Sequence, residues 1–169
     1  MTNIKSAATA PKSSTRLGAL LAIVLLATGT LVTKTQAQVN KITLAGGNIT
    51  MQITTGAAGS QPISHFDATC TLKYWRQAKI AKIAVSTSCP GQSFNLQVVA
   101  TGVTVGVAAP AVSLTDGMLA VDFITSIPNT GWSNTTITLN YTASATFAQG
   151  NSAELGNDVH NVTYTLQVQ

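Results

Sequence analysis

The stretch TITLNYTASATF, residues 136–147, decides the fold class. Its odd positions, from Ile137 to Phe147, are apolar or small, and its even positions, from Thr136 to Thr146, are polar. Successive side chains of a β-strand point to opposite faces, so this unbroken alternation predicts a long strand with one buried and one solvated face.

The same period of two recurs on both sides of this stretch. Residues 39–45 and 49–55 are rich in β-forming residues and are separated by Gly46-Gly47-Asn48, which predicts a hairpin. The last run, residues 160–168, alternates as strictly as residues 136–147, and we predict that these two runs pair as a long hairpin. Further strands are predicted at 94–101, 111–114 and 118–123.

About eight to ten short strands with frequent turn signals are typical of an antiparallel β-sandwich of the immunoglobulin-like or Greek-key type. No repeat or low-complexity linker divides the chain after residue 37. The sequence therefore predicts one all-β domain over residues 38–169.

The first 37 residues have the order of parts of a secretory signal peptide. Lys5, Lys12 and Arg16 precede an apolar run, residues 17–32, which ends shortly before Thr35-Gln36-Ala37, a small-x-small cleavage site. The alternative is an uncleaved membrane anchor, but a bilayer span needs about 20 residues and this run is shorter. We predict a secreted or cell-surface protein that begins at Gln38 and has no membrane segment after leader removal.

Leader removal also changes the charge. The full chain has nine basic and five acidic residues, but four of the basic residues lie before Gln38. The predicted mature domain is left with five of each sign, so its net charge is zero. A basic surface for nucleic acid is therefore not expected.

Cys70 and Cys89 are the only cysteines. An even pair in an oxidising compartment predicts a disulfide. The midpoint of the pair falls between residues 79 and 80, so a hairpin centred there would place the two cysteines opposite each other. A helix is the competing interpretation of residues 71–85, because basic residues recur there at every third position.

No motif for a catalytic nucleophile, a phosphate-binding loop or a zinc cluster is present, and we predict no catalytic residues, cofactor or metal. Two cysteines with only His65 and His160 fall short of a zinc-binding pattern. The pair His65 and Asp67 could orient each other, but no nucleophile motif accompanies it.

Two surface features could bind ligands. Basic residues near Cys70 form a candidate surface for anionic polymers, although lysines on a sheet edge also discourage aggregation. Trp75 and Trp132 could stack on a sugar ring, or they could fill the core. The basic residues are Lys73, Arg76, Lys79 and Lys82.

The leader, the cysteine pair, the low charge and the threonine-rich alternating strands together resemble those of secreted bacterial surface proteins of the fimbrial-subunit kind. The resemblance implies a non-enzymatic structural or adhesive building block. It also implies that an alternating N-terminal segment completes the sheet of a neighbouring copy. This segment carries either Val39, Ile42 and Leu44 or Ile49, Met51 and Ile53. A monomeric binding module for a glycan or a protein is the alternative, and a hydrolase is a more distant one.

Overall fold

The structure is a computed structural model that describes residues 40–53, 59–77, 79–131, 133–149 and 157–169. The predicted leader lies outside these residues, so its cleavage stays a prediction. Within them, no helix has the length and apolar character needed to cross a membrane.

The described residues form nine strands in two antiparallel sheets that pack face to face, which confirms the predicted all-β sandwich. Sheet A has the order β1-β2-β8-β4-β6, and sheet B has the order β5-β7-β3-β9. The strands are β1 (Lys41–Ala45), β2 (Ile63–Trp75), β3 (Ala81–Ser88), β4 (Asn95–Thr101), β5 (Val107–Ala108), β6 (Val112–Leu114), β7 (Val121–Ile127), β8 (Thr135–Ala145) and β9 (Asn161–Val168).

The core lies between the sheets and is built from the inward positions of their central strands. Leu72 of β2 and Leu139 of β8 come from sheet A, and Phe123 of β7 comes from sheet B; all three are fully buried. Tyr141 and Tyr164 hydrogen-bond through their hydroxyl groups at 2.8 Å, with one tyrosine in each sheet. This contact satisfies a polar group of each ring inside an otherwise apolar layer.

Residues 136–147 and 160–168 form strands, as predicted, but they do not form a hairpin. β8 lies in sheet A and pairs with β2 and β4, whereas β9 lies in sheet B and pairs with β3. Each strand has one apolar face, and the two faces pack towards each other across the core, where Tyr141 and Tyr164 meet. The predicted pairing of these two runs is therefore wrong.

The prediction for residues 71–85 is also wrong in both of its forms. The chain leaves sheet A after Trp75 and enters sheet B at Ala81, so β2 and β3 lie in different sheets and do not pair. The described part of this stretch contains no helix either. The connection is a crossover between sheets.

This crossover removes the basis for the predicted disulfide. Cys70 and Cys89 are both buried and carry free thiols. Cys70 lies within β2, where its Sγ is 3.8 Å from the Gly47 carbonyl oxygen, and Cys89 follows the end of β3 beside Asp116 and Asp158. The hairpin that would have opposed the two cysteines does not form, and the disulfide prediction is corrected accordingly.

The predicted hairpin of residues 39–45 and 49–55 is replaced by a different arrangement. Residues 41–45 form β1, which pairs antiparallel with β2, while residues 47–53 form no strand. Ile49 and Met51 nevertheless pack against the core, so the predicted alternation of faces holds without the ladder. Residues 54–58 lie outside the described part of the chain.

A β-bulge in β2 sets which side chains face the core. Asp67 pairs with Tyr141 but Cys70 pairs with Leu139, so Ala68 and Thr69 together lie opposite the single residue Asn140, and β2 has one extra residue here. The Asp67 carboxylate accepts hydrogen bonds from Thr69 N and Thr69 Oγ1 at 2.9 and 2.7 Å, which stabilises the bulge. The inward positions change there from odd to even numbers, and the even-numbered residues beyond it are buried.

Candidate functional site

Three side chains with metal-binding or nucleophilic atoms meet at one end of sheet B. The last ladder pair between β3 and β9 is Ser88 and Asn161, so the register places Cys89 opposite His160. Asp158 lies two residues before His160. The Cys89 Sγ, a carboxylate oxygen of Asp158 and a ring nitrogen of His160 lie within 4.8 Å of one another. We call these residues the Cys-Asp-His cluster.

Backbone and side-chain donors hold Asp158 in place. Its Oδ2 accepts hydrogen bonds from the backbone amides of Ser93 and Phe94 at 2.8 and 2.7 Å, and its Oδ1 accepts one from Ser93 Oγ at 2.9 Å. A carboxylate offers about four lone-pair sites, so these three bonds leave one for another partner.

The loop that carries Cys89 is fixed from the other side. Its backbone amide donates to Asp116 Oδ1 at 2.7 Å, and the amide of Asp116 donates to Gln92 Oε1 at 2.7 Å. Gln92 Nε2 in turn donates to the carbonyl oxygens of Phe94 and Leu114 at 2.8 and 2.9 Å. These bonds connect the loops that follow β3 and β6 and hold Cys89 at a fixed position.

The electrostatics of the cluster favour an uncharged thiol and an uncharged imidazole at neutral pH. Burial raises the pKa of the Cys89 thiol, and the charges of Asp158 and Asp116 add to this, while a backbone hydrogen bond from Val159 opposes it. Burial lowers the pKa of His160, although Asp158 and Asp116 act in the opposite direction. A buried, protonated thiol is a poor nucleophile, so the cluster lacks the activated thiolate of cysteine hydrolases.

The lowered pKa of His160 predicts a pH dependence of stability. The unfolded chain binds a proton at His160 at a higher pH than the folded chain does, so stability falls as pH drops through about 6.5 and below. Urea unfolding at about pH 7 and at about pH 5 measures this change. Between these two pH values, we expect the free energy of unfolding to fall more in the wild type than in His160→Gln. Equal losses in the two proteins would contradict a buried, neutral His160.

The structure disperses the basic residues of the candidate surface for anionic polymers. Lys73 is exposed on the outer face of sheet A, and Lys79 is exposed in the crossover between sheets. Arg76 is an inward residue with 0% exposure, and burial lowers its pKa. Lys82 lies on sheet B, where its Nζ is 2.6 Å from Asp122 Oδ1. Only Lys73 and Lys79 of the four are therefore exposed cations.

The candidate sugar-stacking residues have different outcomes. Trp75 ends β2 and is half-buried, and Trp132 lies outside the described residues. His65 and Asp67 face inward on β2 before the bulge, where the Asp67 carboxylate is already bonded to Thr69.

A second feature is the open side of the sandwich between the edge strands β1 and β9, which contact each other. The inward side chains of these two strands are only partly covered, and Leu44 retains 48% of its exposure. The neighbours that pair with them, such as Leu72 and Val85, are fully buried. We call this side the β1–β9 seam. Its partly buried residues are Ile42, Val162, Tyr164 and Leu166.

Sequence reasoning missed the Cys-Asp-His cluster. Asp158 and His160 are close in sequence, but Cys89 joins them only through the register of β3 and β9, which lie far apart in the chain. The alternation of residues 160–168 placed His160 on the apolar face, and that was the only available signal.

Compared with known proteins, the chain matches no family model, no curated protein and no solved structure.

Proposed function

We propose that the protein is a non-enzymatic structural subunit of an extracytoplasmic assembly, in which copies are linked by exchanging β1. The observation that carries the proposal is the state of β1. It is a short edge strand close to the predicted mature N-terminus, its inner face is partly uncovered, and glycines follow it directly.

β1 is weakly held in its own sheet. Among the described strands it forms a ladder with β2 alone, and four of its five residues are exposed. Hydrophobic stabilisation scales with the apolar area that is removed from water, so a strand that buries so little costs little to release. The same ladder with β2 can be made by β1 of another copy, because the contacts are identical.

The segment after β1 is suited to a hinge. Gly46 and Gly47 both have positive φ, at 121° and 70°, and no atom lies within 4 Å of the place where a Gly47 side chain would begin. Glycine adopts other backbone conformations readily, so the chain can redirect here when β1 leaves its sheet. Exchange of an identical terminal element is a low-cost route to association.

Exchange of identical strands leaves the β1–β9 seam as open as before, so the proposal includes packing of the seams of linked copies against each other. Leu44 on β1 and Val168 on β9 are large apolar side chains that remain about half exposed along this side. The predicted mature domain has five charges of each sign, so repulsion between copies is weak. Burial of the seam supplies the favourable free energy of association, which the exchange of identical strands does not supply by itself.

Cross-linking between two singly substituted proteins tests the exchange. Thr43 and Lys73 are Cα partners in the β1–β2 ladder and both are exposed. We expect an equimolar mixture of Thr43→Cys and Lys73→Cys to form a covalent dimer under mild oxidation, with the native cysteines buried in every variant. Non-reducing gels read out the dimer, and electron microscopy reads out the assemblies.

The control pairs Thr43→Cys with Ser64→Cys. Ser64 is exposed on β2, as Lys73 is, but it lies opposite Ser144 of β8 and far from the ladder between β1 and β2. This mixture should stay monomeric on the gel. Exchange is refuted if assemblies form but the Thr43→Cys and Lys73→Cys proteins cross-link no more than the control. It is also refuted if one chain that carries both substitutions forms assemblies but only an internal disulfide.

A further inference from the structure

We propose that Cys89, Asp158 and His160 bind a zinc ion, with a fourth coordination position left open. This site lies at the β3–β9 end of sheet B and does not depend on the exchange of β1. It goes against the expectation from sequence, which found no metal-binding pattern because Cys89 is far in the chain from Asp158 and His160.

The positions of the donor atoms suit a small tetrahedral ion. All three lie within 4.8 Å of one another. Zinc bonds of about 2.0–2.3 Å hold tetrahedral donors roughly 3–4 Å apart, so small rotations of the side chains bring them onto the ion. Three protein ligands with an open position are an established arrangement for zinc.

The surroundings supply the outer contacts that metal ligands usually have. Thr87 Oγ1 is hydrogen-bonded to His160 Nδ1 at 3.3 Å, which orients the imidazole ring. The Asp158 carboxylate is held by the amides of Ser93 and Phe94, as described above. Such contacts fix the orientation of ligands before the metal arrives and strengthen binding.

The chemistry of the ligands selects the class of metal. A thiolate and an imidazole favour zinc and other late transition metals, whereas calcium and magnesium prefer sites made of oxygen atoms alone. The neutral imidazole offers its lone pair directly. The Cys89 thiol loses its proton to solvent as the sulfur–metal bond forms, so binding releases one proton and changes no oxidation state.

Metal binding would fasten the end of β3 to the segment that leads into β9. Cys89 follows β3, and Asp158 and His160 precede β9, which is an edge strand of sheet B. A ligand that binds only the folded state stabilises it, so the melting temperature should rise with metal concentration.

Titration with Co²⁺, a coloured substitute for zinc, tests the site on the purified protein under reducing conditions. We expect one equivalent to bind with a thiolate-to-metal charge-transfer band, and Zn²⁺ to displace it. Zn²⁺ at about a hundred times its dissociation constant should raise the melting temperature by about 5–10 °C. Absence of both the band and the shift would overturn the proposal.

Matched variants locate the site. Cys89→Ser and His160→Gln should each weaken Zn²⁺ binding by about 100-fold or more, because each removes one of only three ligands. Cys70→Ser and His65→Gln change the same residue types outside the cluster and should leave the affinity unchanged. Circular dichroism establishes whether each variant is folded. If Cys89→Ser does not fold, the affinity of His160→Gln for Zn²⁺ tests the site instead.

Two results would assign the binding elsewhere and refute the site. One is a folded His160→Gln variant that binds Zn²⁺ as tightly as the wild type. The other is loss of binding in His65→Gln or Cys70→Ser to the same extent as in His160→Gln. Because cross-linking of β1 is read out without metal, its failure would leave the zinc proposal standing, and the reverse holds as well.

Discussion

Replacement of Phe123 by alanine is expected to lower the free energy of unfolding by about 3–5 kcal/mol, because it opens a cavity at the centre of the core. Phe123 is fully buried in β7, and its ring lies 5.4 Å from that of Tyr164 at an angle of 52°. The variant loses both the transfer free energy of the ring and this aromatic contact. A loss of this size is a large share of a typical stability of about 5–15 kcal/mol.

Urea unfolding followed by circular dichroism measures the effect. Leu119→Ala is the control, because Leu119 lies just before β7 and is 87% exposed. Its stability should stay within about 0.5 kcal/mol of the wild type. Similar losses in the two variants would mean that Phe123 is not the central core residue that the structure describes.

The second large effect is expected for Gly46→Ala, at about 2–3 kcal/mol. Gly46 has φ of 121°, and a Cβ added there would lie 2.7 Å from Cys70 Cα and 2.8 Å from Cys70 Sγ. Backbone atoms of a central strand cannot move away cheaply. The variant should therefore lose stability and, because β1 docks beside this contact, it should also lose the proposed assembly.

Gly47→Ala is the matched control for Gly46→Ala. It also has positive φ, at 70°, but its added Cβ would have no neighbour within 4 Å. Only the strain of the left-handed conformation remains, which costs about 1 kcal/mol. Chemical denaturation compares the two, and equal losses would show that the approach of Gly46 to Cys70 carries no weight.

Periodicity predicted the strands well because the alternation of apolar and polar residues reports burial on one face. β8 and β9 fall within one or two residues of the runs that predicted them. Periodicity does not report which strands pair, since any two strands with one apolar face can either pair side by side or pack across a core. The error in pairing residues 136–147 with 160–168, and the error in the hairpin centred at residues 79 and 80 and therefore in the disulfide, both have this origin.

The distribution of the basic residues shows a second limit. Lys73 and Arg76 belong to one sequence pattern, yet one is exposed and the other buried. The bulge at Ala68 and Thr69 changes which alternate residues of β2 face the core. Nothing in the sequence of residues 67–70 indicates that this strand has an extra residue there. The Cys-Asp-His cluster could not be predicted for a related reason. Its side chains are brought together by the pairing of β3 with β9, and these two strands are far apart in the sequence.

The alternation of the chain between the two sheets has a kinetic consequence. From β2 onward, every connection between successive strands in the described part of the chain passes from one sheet to the other. After β2, no strand can form a ladder with the strand that precedes it, so long loops must close before most ladders gain any hydrogen bonds. Folding on the scale of milliseconds to seconds follows for such non-local topologies. Until those loops close, the strand edges stay open to other chains, so the period just after synthesis is when the protein is most prone to aggregate.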